Sequence, residues 1–375
     1  MAPARHRSSA LPLAAAYAGL IVYASLYPFA GWQWPAGRDL PELLALPMLP
    51  RALRFDEWSN LLGYLPLGAL LCAGLLRQGG RALWAVAAGV AGPAVMSWWL
   101  EAAQHLVPGR VPSLRDLALN AAGAGLGAAW AWVLATVGVF DRWQMWRDRW
   151  FQPRSAGAIV LLVLWPVALL FPSPVPMGPG QLMDALREAA VALLSGTPWE
   201  ADVLPALQRE AQTRQQLTPL SEGMAIALGL LAPCLLAFSA MRPGWRRLAA
   251  VVAFTALGMA TTALSTALNF GPAHAMTWLT PLVLRSLAVA AVVAALLSLI
   301  GPRRAAALGL VALTGLVVLV AQAPPDPYFA ESLQRWHQGA FIRFHGVAQW
   351  VGWLWPYAAM GWLLSRLSRP GRNLE

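Results

Sequence analysis

Apolar residues run in long blocks along this chain, separated by short stretches rich in Arg, Pro and Gly. The blocks fall near 11–30, 59–76, 82–104, 117–140, 156–172, 221–240, 247–268, 278–300, 305–321 and 346–366. Each approaches the roughly 20 residues that carry an α-helix across a hydrocarbon layer about 30 Å thick. Lipid offers no partner to backbone N–H and C=O groups, so a spanning segment must pair them internally. The pattern predicts an all-α polytopic integral membrane protein with about ten transmembrane helices. The first block follows a basic start and ends in YPFAGW, without a small-residue cleavage site. It reads as a retained helix rather than a signal peptide.

Arginine placement orients the spans. With the N-terminus inside, the inside segments hold Arg5 and Arg7, Arg77 and Arg81, Arg142, Arg147, Arg149 and Arg154, Arg242, Arg246 and Arg247, Arg303 and Arg304, and Arg366, Arg369 and Arg372. The acids facing them are Asp141, Asp148 and Glu375. Every short inside loop is basic, as the positive-inside rule requires. Both termini are therefore expected in the cytoplasm, in a multi-pass protein of the bacterial inner membrane.

Composition agrees. Of 375 residues, 58% are hydrophobic and 12% charged, against about 25% charged in a soluble domain. The net charge of +10 would raise nucleic acid as a partner in a soluble chain. Here topology accounts for it, and the expected partner is the bilayer. Cys72 and Cys234 both lie inside apolar blocks and read as buried hydrophobes.

The blocks group into a four-helix region at 1–140, a basic cytoplasmic linker at 141–155 and a six-helix region at 156–375. The last carries outside segments near 173–220 and 322–345. Within the first of these, Leu182, Met183, Leu186, Ala190, Leu193 and Leu194 share a helical face, which suits a helix on the outer surface or a hairpin packed on the bundle. The second leads into Arg335, His337, Arg343 and His345 among aromatics, read as an interfacial belt over a headgroup pocket. Pro66, Pro93, Pro166, Pro233, Pro281 and Pro356 lie within predicted spans. Arg285 lies in the eighth span, where a charge wants a partner (Glu222 or Glu331) or a route to the interface.

Most of the candidate chemistry is in 56–127, which reads DEWSNLLGYLPLG, then SWWLEAAQHLVPGRVPSLRDLALNAAGAGLG. Asp56 and Asn60 sit at the outer start of the second span. Glu101, Gln104 and His105 sit at the outer end of the third, Arg110, Arg115 and Asp116 in the short outer loop that follows, and Asn120 one turn into the fourth. Spacings of four within Asp56/Asn60 and Asp116/Asn120 put each pair on one helix face. Polar groups at such depth face protein or water.

Structural roles compete for each residue. Asp56 and Asp116 begin helices, where a carboxylate suits the macrodipole, and Ser113 with Asp116 fits a capping box. Glu101 lies near a helix C-terminus, where the dipole disfavours it, so it needs a partner, Arg110 or Arg115 being nearest in sequence. His105 with Glu101 makes a weak metal pair, read instead as an interfacial His. Gly123, Gly125 and Gly127 read as close helix packing. Asp56-x3-Asn60-x2-Gly63 echoes Asp116-x3-Asn120-x2-Gly123, which suggests two related hairpins.

These residues carry a resemblance. Asp56, Asn60, the YLPLG run at 64–68, Glu101, Gln104, Arg110, Asp116, Asn120 and Gly123 together resemble the VanZ-like family over roughly the first four spans. The resemblance implies cell-envelope biology and a link to low-level teicoplanin-type resistance, without supplying a reaction. The remaining spans depart from the short family form.

Three roles follow. In the first, a polar outer-leaflet site acts on an envelope lipid or lipid-linked glycan, with Asp56, Glu101 and Asp116 as catalytic candidates or ligands of a divalent cation. Asn60, Gln104, Arg110 and Asn120 would bind the anionic lipid or lipid-linked precursor. No cofactor motif is present, and Walker, Rossmann and nucleophile-elbow patterns are missing. In the second, the cluster only locks a membrane scaffold. In the third, ranked last, the chain transports a lipid or small molecule; the apolar run inward of Asn60 and Asn120 argues against an ionic path.

Overall fold

In a computed structural model of the protein, the described residues are 10–26, 29, 31–48, 54–197, 199, 202–203, 205, 217–323 and 342–368. Among them the regular structure is helical. Each of the ten apolar blocks falls on a helix. In chain order these and the intervening elements are α1 (Ala10–Leu26), α2 (Leu40–Leu44), α3 (Arg54–Arg77), α4 (Ala82–Gln104), α5 (Leu114–Thr136), α6 (Val139–Trp150), α7 (Ala156–Leu170), α8 (Leu182–Leu194), α9 (Pro219–Ala240), α10 (Trp245–Phe270), α11 (Pro281–Leu297), α12 (Pro302–Gln322) and α13 (Ile342–Leu367).

Among the described residues six helices are long and apolar enough to cross a bilayer: α3 from Glu57, α4, α5, α9, α10 and α12. Helices α1, α7 and α11 are apolar but shorter. For α11 the chemistry at its start sets the boundary. Helix α11 starts at Pro281, slightly later than the 278 that hydropathy suggested, because Thr280 caps it and accepts from Val283 N–H. Proline at the first turn has no N–H to lose. The prolines 66, 93, 166, 233 and 356 do lie inside helices.

The chain divides into two compact units, Met1–Trp146 and Arg147–Glu375. In the first, α3 and α5 form the most extensive helix pair. They run parallel, since Gly123 meets Leu61 and Gly127 meets Leu65 in step. A Cβ at Gly123 or Gly127 would stand 2.0 Å from the carbonyl oxygen of Leu61 or Leu65. One at Gly68 would stand 2.1 Å from that of Ala124. Without side chains the two backbones touch. Gly125 is different, its nearest neighbour being Val90 Cγ2 at 3.8 Å. Two residues along a helix point to another face, so the seam is Gly68, Gly123 and Gly127. Helices α1 and α4 run antiparallel to this pair, with Tyr17 donating to the Gly63 carbonyl at 3.0 Å and Asn120 reaching Ser97.

The fourth span ends sooner than predicted. Helix α5 stops at Thr136, Gly138 turns with φ +70°, and α6 occupies most of the predicted linker.

In the second unit α9 is the central helix, thirteen of its last sixteen residues being buried. The predicted outer segment after α7 begins differently. Phe171, Val175, Met177, Gly178 and Gln181 are buried in the bundle. Gly229 and Gly258 make room for Met177, a Cβ at Gly229 falling 2.3 Å from the Met177 carbonyl oxygen. Irregular backbone at this level is tolerated because protein surrounds it. Helix α8 forms where the amphipathic pattern placed it, and Met183, Leu186 and Leu193 on its apolar face are exposed.

Arg247, grouped with the inside arginines, is fully buried. Its guanidinium donates to the carbonyls of Phe238 (2.7 Å) and Met241 (3.0 Å) at the end of α9, and of Ser298 (3.0 Å) and Ile300 (2.6 Å) beyond α11. These carbonyls lie at helix C-termini, where the dipoles favour a cation. Arg285 is instead exposed on α11. Cys72 and Cys234 are both buried free thiols. The belt at Arg335, His337, Arg343 and His345, with Glu331, falls outside the described residues or side chains.

Candidate functional site

At one end of the N-terminal unit, the segment 31–48 lies over the α4–α5 loop. Gln33 N–H donates to the Leu106 carbonyl (2.9 Å), Leu114 N–H to the Pro47 carbonyl (3.0 Å) and Trp98 Nε1 to the Leu44 carbonyl (3.3 Å). The short helix α2 is held by Asp39, which accepts from Glu42 N–H. Below this cover Glu101 and Gln104 of α4, Arg110 of the loop and Asn120 of α5 make contacts that link α4, the loop, α5 and the end of α1.

Glu101 is buried at 6% exposure, and its Oε2 accepts from Ser113 N–H at 2.9 Å. Ser113 is the N-cap of α5, its hydroxyl accepting from Arg115 N–H at 3.1 Å. The capping box is thus completed across helices. Glu101 of α4 takes the N-cap N–H, the task assigned by sequence to Asp116. Glu101 ends one helix unfavourably but stands at the positive end of the next.

Arg115 pairs with Glu57 at 2.6 Å, not with Glu101. Glu57 went unremarked in the sequence; its spacing from Asp56 and Asn60 marked no site. Gln104 Nε2 donates to the Ser25 carbonyl (3.2 Å) and Arg110 Nη2 to the Ala24 carbonyl (3.5 Å). Both satisfy orphan carbonyls at the end of α1. Asp116 opens α5 in its first turn. Asp56 lies in the first turn of α3, its side chain outside the described ones.

Deeper, Asn120 is buried and its Nδ2 donates to the buried Ser97 Oγ at 2.8 Å. The Asn120 Oδ1 has no partner among the described residues. The buried Tyr64 hydroxyl faces Ser97, with Glu101 close enough to act on it electrostatically. Asn60, the counterpart of Asn120 in the sequence echo, is half-buried and makes no hydrogen bond among the described residues. Gly63 faces open space where its counterpart Gly123 meets α3 backbone. The two copies of the motif therefore occupy unlike surroundings.

His105 follows α4. Arg38 Nη1 donates to its Nδ1 at 3.2 Å, which requires that nitrogen to be unprotonated. Burial, and then the Arg38 charge, hold its pKa below the ordinary 6.5. Among the described residues no three His, Cys, Asp or Glu side chains gather as a metal group.

An apolar groove opens beside this cluster, between α4 and α5. Ala94, Val95 and Trp98 form one wall and Leu114, Leu117, Ala118 and Ala121 the other. Ser97 and Asn120 sit at the same level on the same two helices. The arrangement pairs a buried polar cluster with an apolar trough, which suits an amphiphile.

Comparison with known proteins adds a family. Residues 13–135, the N-terminal third of the chain, match the VanZ/LLP1 family model. No curated protein and no solved structure matches the chain.

Proposed function

Taking residues 13–135 as a VanZ-like membrane region, we propose that the chain crosses the bacterial inner membrane ten times, with both termini in the cytoplasm. The polar end of its N-terminal unit then meets the outer leaflet and binds an envelope lipid or lipid-linked glycan precursor. A contribution to teicoplanin-type resistance follows from occupying or altering that precursor. The observation that carries this reading is the apolar groove beside Ser97 and Asn120, with the Asn120 Oδ1 buried and unpartnered. The apolar lining suits an acyl or prenyl chain, and Arg115 follows the lining residue Leu114 at the start of α5, where this reading puts the headgroup.

The test is expression of wild type, Asn120→Leu and Ala118→Phe in a susceptible host. Teicoplanin susceptibility and lipid retained on the purified protein are measured at matched folded yield. Loss of both in the two variants supports the reading; wild-type behaviour in both rejects it.

A scaffold reading is favoured by a different observation. Gln104 and Arg110 both cap the end of α1, and Glu101 caps α5. These three candidates stabilise the unit itself. Under that reading their replacement lowers folded yield before it changes lipid retention.

A further inference from the structure

Helix α6 reads VFDRWQMWRDRW. At 100° per residue, Trp143 and Trp146 share one face. Arg147 lies to one side of it, Arg142 and Arg149 to the other, while Gln144 and Asp148 lie opposite. The structure keeps this arrangement open. Trp143 and Trp146 are 47% and 41% exposed and stack at 5.0 Å between centroids. Arg142 and Arg149 are exposed and make no ion pair among the described side chains. The Arg147 guanidinium, 20% exposed, pairs with its neighbour Asp148 at 3.2 Å, and a pair of adjacent residues at the surface contributes little. On the polar side, Gln144 accepts from Arg77 at the end of α3, fixing which face turns outward.

Other aromatics at this end of the N-terminal unit place the helix in depth. Trp84 near the start of α4 and Trp132 near the end of α5 are both exposed. Exposed Trp at the ends of spanning helices marks the level of lipid headgroups. A helix at that level with a Trp face flanked by arginine has the composition of an interfacial helix.

We propose that α6 is a binding site for acidic phospholipid: Trp143 and Trp146 enter the acyl–headgroup boundary, and Arg142, Arg147 and Arg149 hold the phosphates of anionic headgroups. The charge decides the occupant. A zwitterionic headgroup is net neutral and would leave the three guanidinium charges uncompensated. An anionic one neutralises them and accepts their fixed hydrogen-bond forks. This inference requires that the chain span a bilayer. It depends neither on which end faces the cytoplasm nor on the outer-leaflet reading.

The test replaces Trp146 with photoreactive p-benzoylphenylalanine in the full chain. The protein is placed in nanodiscs of phosphatidylglycerol and phosphatidylcholine in equal parts, which present both lipids to both leaflets. After illumination, adducts are identified by mass. Phosphatidylglycerol adducts are expected in excess. Arg149→Gln alone should cut that excess on the order of fivefold, and replacing all three arginines by Gln should bring the ratio to that of the bulk lipid. The single exposed change keeps the test open should the triple variant fold poorly. Adducts in the bulk ratio with the arginines intact, adducts to protein alone, or an excess that survives the replacements would overturn the proposal.

Discussion

The carboxylate of Glu101 accepts the backbone N–H of Ser113 at 2.9 Å, joining the end of α4 to the N-cap of α5. The two residues are twelve apart, and the turn between them contains Arg110 and the left-handed Gly109. The bond places a negative charge where α5 begins, and it leaves no orphan N–H at a buried cap. Glu101→Ala removes the acceptor and strands Ser113 N–H, at a cost of about 1–3 kcal/mol. Glu101→Gln keeps an oxygen in place and should cost less. Thermal unfolding of the two variants in detergent checks this order. Equal losses would mean that the charge, not the hydrogen bond, holds the cap.

The α3–α5 seam gives a second prediction. Gly123→Ala and Gly127→Ala each force a methyl into a carbonyl oxygen 2.0 Å away. Backbone cannot step aside as a side chain would, so each should destabilise by about 3 kcal/mol. Gly125→Ala meets only ordinary contact and should gain helix propensity, a change of at most about 1 kcal/mol in the stabilising direction. Folded yield and midpoint temperature separate the two outcomes.

His105 predicts a pH dependence. Its folded pKa is depressed, first by burial and then by Arg38. The unfolded chain takes up a proton near pH 6.5, before the folded chain does. Stability from this group is therefore present above about pH 6.5 and lost as pH falls through the lower folded value. Protonation would also set an imidazolium against the Arg38 guanidinium. The stability difference between wild type and His105→Gln should be constant from neutral pH upward and shrink below it. A difference that grows on acidification would reverse the assignment.

Arg247 supplies a fourth prediction. One guanidinium serves four carbonyls at the ends of two helices. Arg247→Ala leaves them buried without donors, a loss of at least about 3 kcal/mol. Arg247→Lys retains the charge but not the planar fork and should recover only part. Denaturation midpoints of the two variants test whether geometry or charge matters more.

The apolar blocks determined the helices, because only internal pairing of the backbone is possible in lipid and each block carries its own length. They also determined that Asp56, Asn60, Glu101, Gln104, Asp116 and Asn120 lie near helix ends, since polar residues are costly elsewhere. Partner choice was not legible. Arginine-to-acid spacing offered Arg115 to Glu101, yet Arg115 pairs with Glu57, and Glu101 accepts a backbone N–H that no charge pattern announced. Such contacts depend on how helices distant in sequence rotate against one another. The α3–α5 seam set that rotation, and Gly68 in α3 had no local signal to announce its part in it. Hydropathy likewise registered Arg247 as a loop charge and 173–181 as an outer segment. Tertiary packing buried both, one because helix C-termini converge on it, the other because glycines in α9 and α10 leave room for backbone.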